Sequence, residues 1–312
     1  MISVVIIDFN SAARTVKYIK DFIASSDVKD LSFIVVDNSA NKNNADSFRL
    51  EMKDADFSYS KSVFIHESGI ETVFHVNEKN EGFAKANNIG AKIARDRYHP
   101  DFLLFSNSDI LFDERFRLSK LIEVMNADES IGLLGPEVIG LDGKRQSPAK
   151  YLDIYRKHII PELLWPLHKF IPGLSRMNFD TVFNAVSGEV YRVIGAFMLM
   201  KADVFFDIGC FDENTFLYAE EVILSERLSR AGKKVYFYDG VTIVHEGGVT
   251  TKGNDIGEKK SYIAKRNRIF ESEMYFYSQY KNVNGIVIGL AKLCFSFYLL
   301  KLKIAFALRR LL

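Results

Sequence analysis

Three apolar runs in this chain end on a carboxylate. SVVIID closes on Asp8 and FIVVD on Asp37, while FLLFSNSD passes through Asn107 and Ser108 to Asp109 before resuming as Ile-Leu-Phe. A carboxylate buried in such a place without a partner costs several kcal/mol. Asp and Asn commonly begin turns and cap helices, which is one account of such residues. The other is an open cleft beyond the strands that holds a cation. Glu220 and Glu221 stand together at the start of a helical pattern. There the macrodipole stabilises negative charge by about 0.3–1 kcal/mol, and acidic residues are favoured on structural grounds alone. His245 ends the apolar run VTIVH, as a core histidine or as a ligand.

The elements that must position these residues alternate. Residues 2–7 and 33–36 are short β-branched runs, typical of strands buried on both faces. Between them Val16, Ile19, Lys20 and Ile23 keep helical spacing. Residues 102–105 read as a third buried strand, preceded by a helical stretch over 84–97, with Phe83, Ala86, Gly90 and Ile93 along one face. This alternation predicts a parallel α/β sheet, and such sheets bind ligands beyond the carboxyl ends of their strands. Asp8, Asp37 and Asp109 then share one edge. Residues 57–76 read as an inserted hairpin turning at Glu67-Ser68-Gly69. The second half is more mixed. It holds a strand and hairpin over 132–146, an irregular helical excursion over about 151–180 around Trp165, and strands at 191–200 and 234–238. A helix over 220–231 separates those strands, and a long helix over about 258–280 precedes a basic, apolar tail.

Bulk properties exclude several classes. Hydrophobic residues make up 48% and charged residues 26%, an ordinary globular balance that can bury a large core. A formal net charge of +1 argues against a nucleic-acid partner, which requires a basic stripe. Cys210 and Cys294 are too few for a disulfide framework and fit a reducing cytoplasm. The opening MISVVIIDFN has no basic segment ahead of its short apolar run, so the protein is expected to stay on the side of the membrane where it is made. No glycine precedes Gly69. The first strand therefore lacks the glycine-rich phosphate turn of dinucleotide-binding and P-loop proteins, and the basic, glycine-rich loop of a sugar-1-phosphate nucleotidyltransferase. A bound nucleotide diphosphate would need a divalent metal held by carboxylates instead.

Taken in order, SVVIIDFN, VVDNS, NEGFAKANNIG (residues 80–90), NSD, GAFMLMKADVFFDIGCFDENTFLYAEEVILSERLSRAG and VTIVHEGG resemble a known series of motifs. They are those of the family 2 inverting glycosyltransferases of the GT-A fold, particularly the bacterial rhamnosyltransferase-like branch. The resemblance covers most of residues 2–270. It implies a mixed, mostly parallel α/β sheet flanked by helices, with a helical C-terminal extension. It also implies a nucleotide-sugar donor, with dTDP-rhamnose ahead of a UDP-hexose, and a hydroxyl acceptor on a lipid-linked bacterial surface polysaccharide such as an O-antigen. By position, Asp37 would bind the nucleobase, with Asp8 and Asn10 beside it. Asn80, Gly82, Asn87, Asn107 and Arg227 would complete the nucleotide-sugar site. Asp109 and His245 would hold Mg2+ or Mn2+, and Glu221, with Glu220 beside it, would be the general base. The chain departs from the family at Asp8, where threonine is usual, and in the single carboxylate of Asn107-Ser108-Asp109. It departs again at Glu220-Glu221, usually Glu-Asp, and at Ile223, where a second acid is common. The single carboxylate of the metal motif and Ile223 keep an inactive relative that only binds glycans or partner enzymes as a rival reading.

The expected organisation is a catalytic domain over 1–255, with a nucleotide-sugar half at about 1–112 and an acceptor half at about 113–255, followed by a helical extension over 256–312. The longest charge-free run of the tail lies between Lys281 and Lys292, short of the roughly 20 residues of a spanning helix. On a helical wheel Lys292, Ser296, Lys303 and Arg310 share a face away from Leu293, Phe297 and Ile304, and Lys301 falls opposite them. This predicts a basic amphipathic helix lying on the inner face of the cytoplasmic membrane. The alternative is a helix docked on the catalytic domain or on a second subunit, which leaves a homo-oligomer open.

Overall fold

β1 (Ile2–Asp8), β2 (Leu31–Asp37) and β6 (Phe102–Ser106) are buried over nearly all their length. They are rich in Val, Ile, Leu and Phe because both faces of their sheet are covered. The computed structural model describes residues 1–55, 57–60, 63–167, 180–247 and 255–308. In it β1 lies between β2 and β6 and runs parallel to both, with Asp8 opposite Asp37 and Ile6 opposite Ser106. Beyond β2 the sheet adds β5 (Glu71–Val76), parallel to it, and then β4 (Val63–His66) and β3 (Phe57–Ser60), antiparallel. Beyond β6 come β10 (Phe197–Lys201), antiparallel, and β8 (Ile131–Gly140). β11 (Lys234–His245) runs parallel to β8 and also pairs with β7 (Ile110–Leu111) and β9 (Gly188–Val190).

Helices cover both faces. On one side, α1 (Ala12–Ser25), α2 (Lys42–Asp54) and α4 (Leu118–Ala127) bury Phe22, Phe48 and Leu121 against Phe33, Phe116 and Phe197. On the other, α3 (Phe83–Tyr98), α6 (Ala202–Asp207) and α7 (Glu220–Arg230) bury Ala91, Phe205 and Leu228 against Val5, Val36 and Phe105. A Cβ on Gly90 would lie 2.5 Å from Val5 Cγ1. The bare glycine lets α3 approach β1 and brings the loop ahead of α3 to the carboxyl ends of the strands.

Two sequence-based expectations shift here. The hairpin over 57–76 is not an insertion, because its second strand, β5, joins the main sheet beside β2. The strand expected over 191–200 is shorter, since residues 191–196 form a loop before β10. That loop matters below.

The chain forms two compact units, Met1–Ala149 with Val182–Thr250, and Lys150–Thr181 with Thr251–Leu312. The excursion over 151–180, assigned from sequence to the acceptor half, thus groups with the C-terminal helices. In this second unit the helical turns Tyr155–Ile159 and α5 (Ile160–Leu163) pack with α8 (Asp255–Gln279) and α9 (Gly285–Leu308). Glu273 of α8 is paired with Lys157 at 2.8 Å and His158 at 2.9 Å. Burial opposes its ionisation, but the Lys157 charge first, and then the His158 side chain, outweigh burial and hold the carboxyl well below its usual range.

The tail departs from its expected pattern. Gly285–Phe306 is long and apolar enough to cross a membrane, by length and composition, despite its lysines. Its faces are also not divided as the helical wheel predicts. Lys301 lies on the inner face, paired with Glu162 and 4.6 Å from the centre of the Trp165 ring, while Ala291 and Cys294 are buried. Lys292, Ser296 and Lys303 share the outer face with exposed Ile286, Leu290, Leu293, Phe297, Leu300 and Ile304. The expected segregation fails because tertiary packing, not charge, selects the buried face. Arg310 lies outside the described residues.

Candidate active site

Parallel pairing of β1, β2, β5 and β6 sets their carboxyl ends side by side, and the chain leaves each of them on a polar residue. Asp37, fully buried, accepts at Oδ1 from the Ser39 amide (2.9 Å) and hydroxyl (2.6 Å). Its Oδ2 is buried and meets no donor among the described residues. A buried acceptor without a partner is costly, and a ligand N–H would satisfy it. The next residue, Asn38, organises the loop before α3. It donates to Asn80 Oδ1 (3.0 Å) and the Gly82 carbonyl (3.1 Å), and accepts from Asn77 Nδ2 (3.0 Å) and the Glu81 amide (2.9 Å). Asn80 also caps Gly82 N–H at 3.0 Å. Gly82 has φ +80°, and a Cβ there would fall 2.4 Å from the Phe216 carbonyl. Only glycine allows this turn and this approach.

Asp109 follows β6, and His245 ends β11 opposite Ile110. The two side chains meet with His245 Nε2 3.3 Å from Asp109 Oδ1, each 12% exposed. His245 Nδ1 is 2.7 Å from the side-chain Oε1 of Gln146, a contact that orients the ring with Nε2 toward Asp109. A proton or a cation is what can lie between an imidazole nitrogen and a carboxylate oxygen so placed. Burial disfavours the Asp109 anion, yet the hydrogen bond and charge of His245 outweigh it and hold the carboxyl below its usual range. An imidazole and a carboxylate suit Mg2+ or Mn2+, whose remaining positions are commonly filled by phosphate oxygens and water. No group of three or more His, Cys, Asp or Glu side chains able to hold a metal occurs among the described residues.

The glutamate pair opens α7. Tyr218 and Ala219, just before it, have φ +75° and +67°. Consecutive left-handed non-glycine residues cost about 1–3 kcal/mol each and gather at functional sites. The Phe83 amide, which donates to the Phe216 carbonyl at 2.8 Å, ties this strained segment to the start of α3. Glu221 is half-buried and accepts at Oε1 from the Gly195 amide at 3.0 Å. Glu220 is buried, with Oε1 unpartnered. Burial first, and then the Glu221 carboxylate, push its pKa well above the usual range.

Other expected site residues have different placements. Asp8 does not face the cleft. It is fully buried and accepts from Ser11 (2.8 Å), Thr15 (2.5 Å) and Asn44 (2.5 Å), bracing α1 and α2 against β1. Asn10 is exposed with φ +54° and accepts from Asn41 at 2.8 Å. Asn87 is buried and donates within its own helix to the Phe83 carbonyl at 3.0 Å. Arg227 donates to the Gly209 and Cys210 carbonyls, both at 2.8 Å, and lies 3.4 Å from Asp212, so it braces that loop against α7. Asn107 joins the metal motif to the loop before β10 through its amide, which donates to the Ala196 carbonyl at 2.9 Å. The sequence reading passes over Asn38, Asn77, Gln146 and Gly195. Asn38 was the most legible of these, since it follows Asp37 at the same strand end. A concavity lined by Met1, Val28, Asp30 and Asp101 opens at the amino ends of the strands and includes none of these residues.

The sheet thus sets an unpartnered Asp37 oxygen at the end of β2, the Asp109–His245 pair beyond β6, and Glu221 at a strained helix start. The model of glycosyl transferase family 2 matches residues 3–207, and the chain belongs to that family. It is 25% identical over 191 residues to rhamnosyltransferase WbbL of Escherichia coli K12, a match spanning 59% of this chain and 67% of that one. It is 21% identical over 178 residues to an N-acetylglucosaminyl-diphospho-decaprenol L-rhamnosyltransferase of Mycobacterium tuberculosis, covering 56% of each. Among solved structures, GalNAc-T7 with UDP, GalNAc and Mn2+ aligns with 94% of this chain and 54% of its own, at a TM-score of 0.55 and 15% identity. Mannosyltransferase PcManGT of Pyrobaculum calidifontis, with GDP-Man and Mn2+, aligns with 98% and 80%, at 0.50 and 13%. The fold is the GT-A fold.

Proposed function

We propose that this chain is an inverting glycosyltransferase that takes rhamnose from dTDP-rhamnose and delivers it to a hydroxyl of a lipid-linked bacterial surface-glycan intermediate. The pairing of Asp109 Oδ1 with His245 Nε2 at the carboxyl ends of the strands carries the reading, because a carboxylate and an imidazole there would suit a cation that neutralises a diphosphate. The names of the two rhamnosyltransferase relatives support the sugar, and that of the second supports the lipid-linked acceptor.

In this reading residues 1–112 hold the donor, with Asp37 Oδ2 accepting from the base and the Asn38–Gly82 loop shaping the floor. Asp109 and His245 would hold Mg2+ or Mn2+, which would supply Lewis-acid neutralisation of the diphosphate. Glu221 accepts the proton of the acceptor hydroxyl as its oxygen attacks the anomeric carbon. The bond from that carbon to the diphosphate oxygen breaks, and the nucleoside diphosphate leaves with the electron pair. Attack opposite the leaving group inverts the centre. Lys281, Lys292, Lys301, Lys303, Arg309 and Arg310 are the only charged residues after Glu273, and all are basic. With the apolar outer face of α9 they support a seat on the anionic inner surface of the cytoplasmic membrane, beside a lipid-linked substrate.

Thermal unfolding with Mn2+ and a panel of dTDP-, UDP- and GDP-sugars tests the donor. dTDP-rhamnose at about 100 times its Kd is expected to raise Tm by on the order of 5 °C or more. Stabilisation by a UDP-hexose alone would assign a different donor, and none by any nucleotide sugar would favour the inactive relative.

A further inference from the structure

Gly195 precedes β10, and it is not in the left-handed region that would require glycine. What its missing side chain leaves is space. A Cβ there would lie 2.8 Å from Glu221 Oε1 and 3.3 Å from both Cδ and Cγ, and its amide donates to that same Oε1 at 3.0 Å. The contact is local to one carboxylate. The next residue, Ala196, accepts from the Asn107 amide at 2.9 Å, and Phe197 pairs with Ser106 at the end of β6. A single dipeptide therefore touches Glu221 on one side and the backbone leading to Asp109 on the other.

We propose that Gly195 is a positioning residue for the reaction. Its amide and its bare Cα set where the Glu221 carboxylate stands, and the Gly195-Ala196 peptide fixes that place relative to the diphosphate end of the site. The inference rests on Glu221 as the base. The Glu221 carboxylate stands at the end of two rotatable methylenes, so it needs a stop, and the Gly195 amide supplies one. A methyl group at 195 would meet first the Oε1 end of the flexible Glu221 side chain. It is accommodated by swinging the carboxylate away, with little cost to the fold, and a displacement of about 1 Å costs on the order of 100-fold in rate.

The test combines turnover with a direct view of the contact. Release of dTDP from dTDP-rhamnose with Mn2+ is followed for the wild type, Gly195→Ala, Glu221→Asp and the double variant. Gly195→Ala is expected to lose about 100-fold in kcat, with KM within about two-fold and Tm within a few degrees. In the Glu221→Asp background the same methyl is expected to cost less than about three-fold, because the shorter carboxylate no longer reaches it. Separately, in 15N-glycine-labelled protein the Gly195 amide resonance, assigned by its loss in Gly195→Ala, is expected to move upfield in Glu221→Ala. Turnover of Gly195→Ala at the wild-type rate would overturn the proposal, as would equal losses in both backgrounds or a large fall in Tm. An amide unmoved by Glu221→Ala would overturn it without any turnover measurement. No dTDP release by the wild type would refute the donor assignment, and the amide would still decide the contact.

Discussion

Glu220 and Glu221 are adjacent in sequence, but their surroundings differ. Glu221 has a backbone donor and partial exposure, which suit the base proposed for it, whereas Glu220 is buried with an oxygen that meets no donor among the described residues. Glu221→Gln is expected to keep donor binding and to lose transfer by about 100-fold or more, since the hydroxyl proton then has no acceptor. Normal transfer by that variant, with loss in Glu220→Gln, would exchange the two roles. Glu220 also marks a pH dependence of stability. Its pKa is pushed up to about 8 by burial and by Glu221, so the folded state holds a proton that the unfolded chain releases at the ordinary carboxylate pKa. The stabilisation is complete below about pH 4 and declines as pH rises toward 8. Glu220→Gln is therefore expected to raise Tm at pH 8 and leave it little changed at pH 4. Equal shifts at the two pH values would contradict the buried neutral acid. Asp37, Asp109 and His245 were legible in the sequence because each ends an apolar run. Asp8 carried the same signal for a different reason. Its three donors come from α1 and α2, and no strand-end pattern reports where those helices place Ser11, Thr15 and Asn44.

At the scale of elements, the site depends on how the loop before α3 and the start of α7 are held. Asn38 makes four hydrogen bonds into that loop, and the Phe83–Phe216 backbone bond joins it to the strained entry of α7. Asn38→Ala leaves buried donors and acceptors unpaired, at about 1–3 kcal/mol. A fall in Tm on the order of 5 °C is expected, with weakened donor affinity. Unchanged binding would show that this loop is not part of the donor site. The central strands and α1, α3 and α7 were readable from periodicity, because burial on one or both faces dictates residue type. The loop over 191–196 was not, since its apolar residues continue the pattern of β10 although its backbone leaves the sheet to reach Glu221 and Asn107. Gly195 is invisible to periodicity for the same reason. Its role depends on a side chain that arrives from far along the chain.

For the molecule as a whole, the helical second unit carries the proposed membrane contact. The sequence reading divided α9 by charge, whereas packing turns Lys301 inward to Glu162 and leaves Leu293, Phe297 and Ile304 exposed on the outer face. Leu293→Glu with Phe297→Glu changes only exposed positions. The pair is expected to preserve Tm and to abolish cosedimentation with phosphatidylglycerol-containing vesicles at low salt. Vesicle binding equal to that of the wild type would remove α9 as the contact. The most direct test of the central claim is calorimetric titration of dTDP-rhamnose into the wild type and Asp109→Asn, with Mn2+ and with EDTA. The account predicts binding by the wild type that requires Mn2+ and is lost in Asp109→Asn, with unfolding of the variant unchanged. Equal affinity in EDTA, or in the variant, would contradict it.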